Sequence, residues 1–259
     1  MRRRSKACRP LWPRVARRGL SGAVALLTLG CAMQHNAVLL PLMSAPPHAS
    51  AVWQESFDAL DPERWQHIKM HGATAYRVVE IDGRRCLRAE SSDSASILLT
   101  EMSFDPRLSP WFSWAWRVDQ FVEGEALERK SGSDASARVY VYFETPDLPW
   151  QKRNLDYVWS AVLPVGTSMR SAFSSQSHIV VVTTGTPSSG RWQTVERHLA
   201  EDYQRSFGEE PPKVIAIGVM NDTDDTRSKA VAYIDELRVS RTPSTQTNHT
   251  AAMAAPTEE

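Results

Sequence analysis

The chain has 259 residues and balances 30 basic against 30 acidic groups, with only three cysteines. The neutrality is uneven: residues 1–50 carry eight basic groups and no acid, leaving 22 basic against 30 acidic groups, a net of −8, in the rest. A body of that sign excludes a binder of phosphate backbones, so no nucleic-acid partner is expected.

Taken in chain order, the first segment is basic from Arg2 to Arg18, then apolar over Leu20–Leu29, and closes on Gly30-Cys31. This is the layout of a secretory leader, and its apolar run is too short to span a bilayer. Gly30-Cys31 fits lipidation at Cys31, whereas Ala49-Ser50-Ala51 offers a cleavage site that would release a soluble form. Both routes stay open. The domain plan is a leader over 1–31, a linker over 32–51, one folded domain over 52–241, and a disordered Thr/Ala/Pro-rich tail over 242–259. The expected location is outside the cytoplasm: periplasmic, attached to the outer membrane through a lipidated N-terminus, or secreted. Removal of the leader leaves Cys86 as the single thiol, so no disulfide within the domain is expected.

Beyond residue 51 the apolar period is two, the signature of strands. Ala75–Ile81 and Arg84–Glu90 flank Asp82-Gly83, a hairpin turn. Further strands are expected over Ser96–Phe104, Trp111–Asp119, Arg138–Glu144, Asp156–Leu163, His178–Thr184, Arg191–His198, Val214–Met220 and Ala230–Val239. Two segments read as helical: Val122–Lys130, and Ala200–Phe207 ending at Gly208 before Pro211-Pro212. The fold class is therefore all-β: a single β-sandwich of jelly-roll type, concanavalin- or galactose-binding-like, with one short helix.

Several motifs along this domain resemble a bacterial family of domains of unknown function, number three-zero-four-seven. They are Ala137-Arg-Val-Tyr-Val-Tyr-Phe143, Asn154-Leu-Asp-Tyr-Val-Trp159, Gly190-Arg-Trp192, Glu201-Asp-Tyr-Gln-Arg-Ser-Phe-Gly208, and Ile217-Gly-Val-Met-Asn-Asp-Thr-Asp-Asp-Thr226. The resemblance covers about residues 53–240 and implies an exported β-sandwich, with no activity attached. Where the family tends to carry paired acids before the Ala-Arg-Val-Tyr strand, Gly132-Ser133-Asp134 keeps one.

Candidate sites follow from residue type and face. Alternation puts Val139, Val141 and Phe143 on one side of their strand and Arg138, Tyr140, Tyr142 and Glu144 on the other. With Trp150 in the following loop, that second side has the aromatic faces and hydrogen-bonding groups that saccharide rings require. The acidic run Asp222-Thr-Asp224-Asp225-Thr226 is read as a polar turn or a calcium loop, with Asp222, Asp224 and Asp225 as oxygen ligands to a structural Ca²⁺. Its aspartyl phosphotransferase reading fails on context, because only 33 residues follow Thr226. Glu123-Gly-Glu125-Ala-Leu-Glu128 mimics a glycosidase pair of carboxylates. Asp235 alternates with Tyr233, Leu237 and Val239, which places a carboxylate on the core face with Arg or backbone amides as partners. No nucleophile–base motif and no structural zinc spacing is present, and no catalytic residue is assigned. The leading expectation is a non-catalytic module of the cell envelope that binds a glycan-like ligand. The alternatives are a carbohydrate-active enzyme using paired carboxylates, or a structural envelope protein that contacts another protein.

Overall fold

A computed structural model describes residues 51–145, 152–185 and 190–244. Cys31, Trp150, the leader, the linker up to residue 50 and the tail beyond 244 lie outside the described residues.

Thirteen strands form two sheets that face one another across a single core. The six-stranded sheet has the order β11 (Gln193–His198), β6 (Trp111–Gln120), β13 (Lys229–Ser240), β4 (Arg84–Ser92) and β3 (Ala75–Ile81), with β1 (Ala51–Glu55) also paired to β13. The seven-stranded sheet runs β2 (Gln66–His71), β5 (Ala95–Phe104), β12 (Val214–Asp222), β7 (Ala137–Phe143), β8 (Arg153–Ser160), β10 (Ser177–Thr184) and β9 (Ser168–Arg170). Pairing is antiparallel except between β8 and β10. The result is the expected all-β sandwich with, among the described residues, one α-helix, α1 (Leu199–Phe207).

The period-two reading located the strands because each has one buried face. Phe112, Trp114, Trp116 and Val118 of β6 are fully buried, as are Val139, Val141 and Phe143 of β7 and Leu155, Tyr157 and Trp159 of β8. Rings interlock across the two sheets: Trp114 lies 5.3 Å from Tyr157, and Trp116 lies 5.8 Å from Trp159. Offset and tilted aromatic pairs of this kind contribute beyond their buried area. The Asp82-Gly83 turn joins β3 to β4 with both residues at positive φ, as a two-residue hairpin requires.

Three strands escaped the alternation: β1, β9, and the edge strand β2, whose sequence Gln-His-Ile-Lys-Met-His is exposed along almost its whole length. Val122–Lys130 is not a helix. It is a loop, closed by a 3-10 turn at Lys130–Gly132, that lays Leu127 and Ala135 over Val158, Ile179 and Val181 on the outer face of the seven-stranded sheet. Gly124 at positive φ breaks the helical run. Asp235 is displaced from the expected core face as well. A bulge between Asp235 and Arg238, with Glu236 at φ 54°, shifts the register of β13. Leu237 and Val239 then enter the core, while Asp235 bonds Arg84 Nε on the outer side at 2.5 Å. The same bulge divides the strand's partners, with β4 pairing to residues 229–234 and β1 to residues 237–240.

Helix α1 is held by a buried charge. Gly208 closes it at φ 77°, and His198 caps its start by accepting from the Glu201 amide at 3.3 Å. Asp202 takes two bonds from Arg197, at 2.8 and 2.6 Å, and one from the Tyr157 hydroxyl at 2.9 Å. Tyr157→Phe removes only the last of these, so chemical denaturation should show a loss of about 1–3 kcal/mol with an unchanged m-value. A neutral result would mean that the hydroxyl does not anchor the helix.

Candidate functional site

The outer face of the seven-stranded sheet carries the residues singled out on β7. Tyr140 and Tyr142 are half-buried there, their rings stacked with centroids 5.7 Å apart and 23° between planes. Glu144, next on the same side, is exposed just past the strand end. Across the ladder, Tyr140 is opposite Asp156 and Tyr142 opposite Asn154. Burial pushes the phenols of both tyrosines well above their usual range, so both stay protonated.

Two acceptors on this patch are buried beside the tyrosine hydroxyls. Asn154 Oδ1 and Asp156 Oδ1 lie outside good hydrogen-bond geometry with any donor, but the Tyr142 and Tyr140 hydroxyls interact with these two side chains, which are only 8% and 1% exposed. Buried polar atoms normally find partners, and the tyrosine hydroxyls are the partners these two side chains have on this face. Sequence reading missed both, because an Asn-x-Asp pattern on a strand looks like ordinary solvent-facing alternation.

Arg138 is not offered to solvent. Its side chain is 3% exposed and its guanidinium is fully engaged: Nη1 with Asp156 Oδ2, Nε with Asp222 Oδ1 at 3.0 Å, and Nη2 with the Ser133 carbonyl at 2.5 Å. Burial disfavours its charge, but Asp156 and Asp222 more than offset this and hold it protonated. Arg138 is therefore a buried crosslink under the tyrosine face and not a ligand contact.

The acidic run ends β12 and forms the following turn. Asp134 organises that turn, accepting from the Asp225 amide at 3.2 Å, the Thr226 amide at 2.7 Å and the Thr226 hydroxyl at 2.6 Å. The carboxylates with metal-ligand spacing among the described residues are Asp134, Asp222 and Asp224, each offering one oxygen within 4.8 Å of the others. Asp225, expected as the third calcium ligand, is not in that group, and Asp134, the single acid before the Ala-Arg-Val-Tyr strand, takes its place. Burial drives the Asp222 carboxyl up to about 7, against the pull of Arg138 and with the push of Asp134. Burial and Asp134 likewise raise Asp225 to about 6.

At the Glu144 end of the tyrosine face lies a cavity of about 440 Å³, lined by Arg107, Glu144, Arg153, Tyr203, Glu209 and Glu210 among others. Helix α1 supplies Tyr203, whose hydroxyl accepts from Arg153 at 2.9 Å. None of the glycosidase-like carboxylates Glu123, Glu125 and Glu128 lines this cavity. Glu125 accepts from the Ser160 hydroxyl and from the Ala161 amide at 2.9 Å, at the C-terminal end of β8. Glu144 follows Phe143, which pairs with Arg153 at the start of β8. Seven strand residues separate these ends, on the order of 20 Å and beyond the reach of a shared glycosidic bond. Glu123 is exposed on the loop beside Glu125. His67 bonds Ser96 at 2.8 Å, and Cys86 is a buried free thiol raised to about 11 by burial, so neither is poised for chemistry.

Fold and site together define a two-layer β-sandwich with a half-open aromatic stripe leading into a charged cavity. The profile of the family "Protein of unknown function (DUF3047)" matches residues 63–238, and the chain belongs to that family. Among curated proteins none matches it. Solved structures similar to it include the CBM22-1 xylan-binding domain of Paenibacillus barcinonensis Xyn10C, at 12% identity and TM-score 0.36, covering 73% of this chain and 93% of that one. The xyloglucanase domain of NopAA from Sinorhizobium fredii aligns at 7% identity and TM-score 0.41, covering 70% and 95%. The cellulose-induced protein Cip1 aligns at 8% and 0.39, covering 73% and 97%. These likenesses are of general two-sheet form, and the sandwich is read from the chain's own strand pairing.

The raised carboxyls set a pH dependence. Between pH 4 and 7 the folded chain keeps protons on Asp222 and Asp225 that the unfolded chain has released. Their contribution to stability is therefore complete at low pH and lost as pH rises through 6 and 7. Asp222→Asn, which keeps an acceptor for the Ala135 amide, should flatten the fall in melting temperature between pH 5 and 8. An unchanged slope would place the titration elsewhere.

Proposed function

We propose that this protein is a non-catalytic binding module whose ligand is a saccharide, held on the outer face of the seven-stranded sheet. The observation that carries this reading is the four-residue patch of Tyr140, Tyr142, Asn154 and Asp156. Two stacked, half-open phenol rings offer apolar faces suited to the C–H surface of a sugar ring. Beneath them, the buried Asn154 and Asp156 side chains interact with the Tyr142 and Tyr140 hydroxyls and steady the two rings. The patch continues through Glu144 into the cavity at the sheet end, which gives room for more than one sugar unit.

The basic and apolar leader of residues 1–31 supports an exported setting, where such ligands are met, with attachment through Cys31 as one route. A catalytic reading is less well supported, since Glu125 of the Glu123–Glu128 motif is tied to Ser160 and Ala161, Glu123 and Glu128 are exposed, and none of the three lines the cavity.

The test is a glycan array followed by calorimetric titration of whichever oligosaccharide binds. Tyr142→Ala should weaken that binding at least tenfold while the melting temperature falls by only a few degrees, because the ring is half-exposed. Full affinity in Tyr142→Ala and Tyr140→Ala alike would overturn the reading.

A further inference from the structure

We infer that this site takes the end of a saccharide chain and not its interior, so that its ligands are short oligosaccharides and chain termini. The inference rests on the saccharide reading above and adds the shape of the ligand.

The open part of the outer face is bounded at both ends along β7. Arg138, one outward position before Tyr140, is 3% exposed and bonds the Ser133 carbonyl, so the loop over 122–136 closes the face there. At the other end, past Glu144, the cavity is walled by segments distant in sequence: Arg107 after β5, Tyr203 of α1, and Glu209 to Pro212 beyond the helix. Arg153 fastens that wall. It pairs with Glu209, donates to the Tyr203 hydroxyl at 2.9 Å and to Gln176 Oε1 at 3.3 Å, and lies over the Phe207 ring at 5.3 Å. Helix α1 is held in turn by the bonds of Asp202 to Arg197 and Tyr157.

The face is bounded across the strands as well. On the β12 side Gly218 is opposite Tyr140, and a Cβ on it would lie 2.5 Å from Ile97 Cδ1 and 3.4 Å from Leu99 Cδ1. Ile97 and Leu99 of β5 thus lean over Gly218 as a ridge, closed to solvent at 2% and 4% exposed. On the β10 side Ile179, the neighbour of Asp156, is buried with Val158 and Val181 under Leu127 and Ala135.

The open stretch therefore runs from Tyr140 to Glu144, about 13 Å of strand, which with the cavity holds roughly three sugar units. The cavity itself, at about 440 Å³, is at the small end of the ~300–1,000 Å³ common for ligand pockets. A chain interior must leave its site at both ends. Here the cavity end is walled, so the unit seated in it is terminal, and the rest of the chain departs outward past the tyrosines.

The experiment titrates the full chain with ladders of one to eight units of β-1,4-linked glucose, xylose, mannose and N-acetylglucosamine, and with a soluble polymer of whichever linkage binds. Affinity should climb to about three units and then stay level within about twofold, and each polymer chain should carry one protein molecule. Arg107→Ala gives up only an exposed ion pair of the wall, so the fold should survive it, and it should weaken a trimer and the polymer by the same factor, about fivefold or more. Affinity that keeps rising to eight units, or several protein molecules on one polymer chain, overturns the inference and leaves the saccharide reading standing. A polymer affinity untouched by Arg107→Ala does the same. Absence of binding to every ladder and to every spot of the glycan array overturns the saccharide reading, and this inference with it.

Discussion

The sandwich depends on the interlocking of aromatic rings between its two sheets. Trp114 and Trp116 of β6 meet edge to face at 5.3 Å, and each reaches across the core to a ring of β8, Tyr157 or Trp159. The one thiol among the described residues is the buried, unpaired Cys86, so the packing of these rings does what staples do in smaller secreted domains. The same contacts set what the outer faces can present. With Tyr157 and Trp159 turned inward, β8 must turn Asn154 and Asp156 outward. With Val139 and Val141 inward, β7 must show Tyr140 and Tyr142. The candidate site is the reverse side of the core.

Charge is buried at several points, and each buried charge ties two segments together. Asp202 joins α1 to β8 and β11 through Tyr157 and Arg197. Arg138 joins β7, β8 and the end of β12 through Asp156 and Asp222. Removing one partner from such a pair leaves an uncompensated charge, which costs far more than the pair contributes when whole. These pairs therefore make the arrangement exacting: the outer face tolerates loss of its exposed side chains better than loss of the ions beneath them.

Much of the architecture was legible in the sequence because burial on one face writes a period of two. The face assignment of Arg138–Glu144 is an instance, and so is the burial of Phe112, Trp114 and Trp116. What was illegible has physical causes. The edge strand β2 buries almost nothing and leaves no apolar alternation. The bulge at Asp235 and Glu236 changes the register without changing the composition. Arg138 was read as a surface group because its two counterions are far away in the chain, at Asp156 and Asp222. The burial of Asn154 and Asp156 beneath the tyrosine rings could not be found from sequence, since it is a property of the folded neighbourhood.

Strand β13 has one more implication. It is the last strand among the described residues, yet it lies in the interior of its sheet, paired to β6, β4 and β1. Strands β4 and β6, made more than a hundred residues earlier, have no neighbour between them until residues 229–240 arrive. Such a sheet cannot be assembled piecemeal as the polypeptide emerges from the ribosome. Its closure waits for residues 229–240, and with so many contacts between distant residues it belongs among the slower-forming topologies.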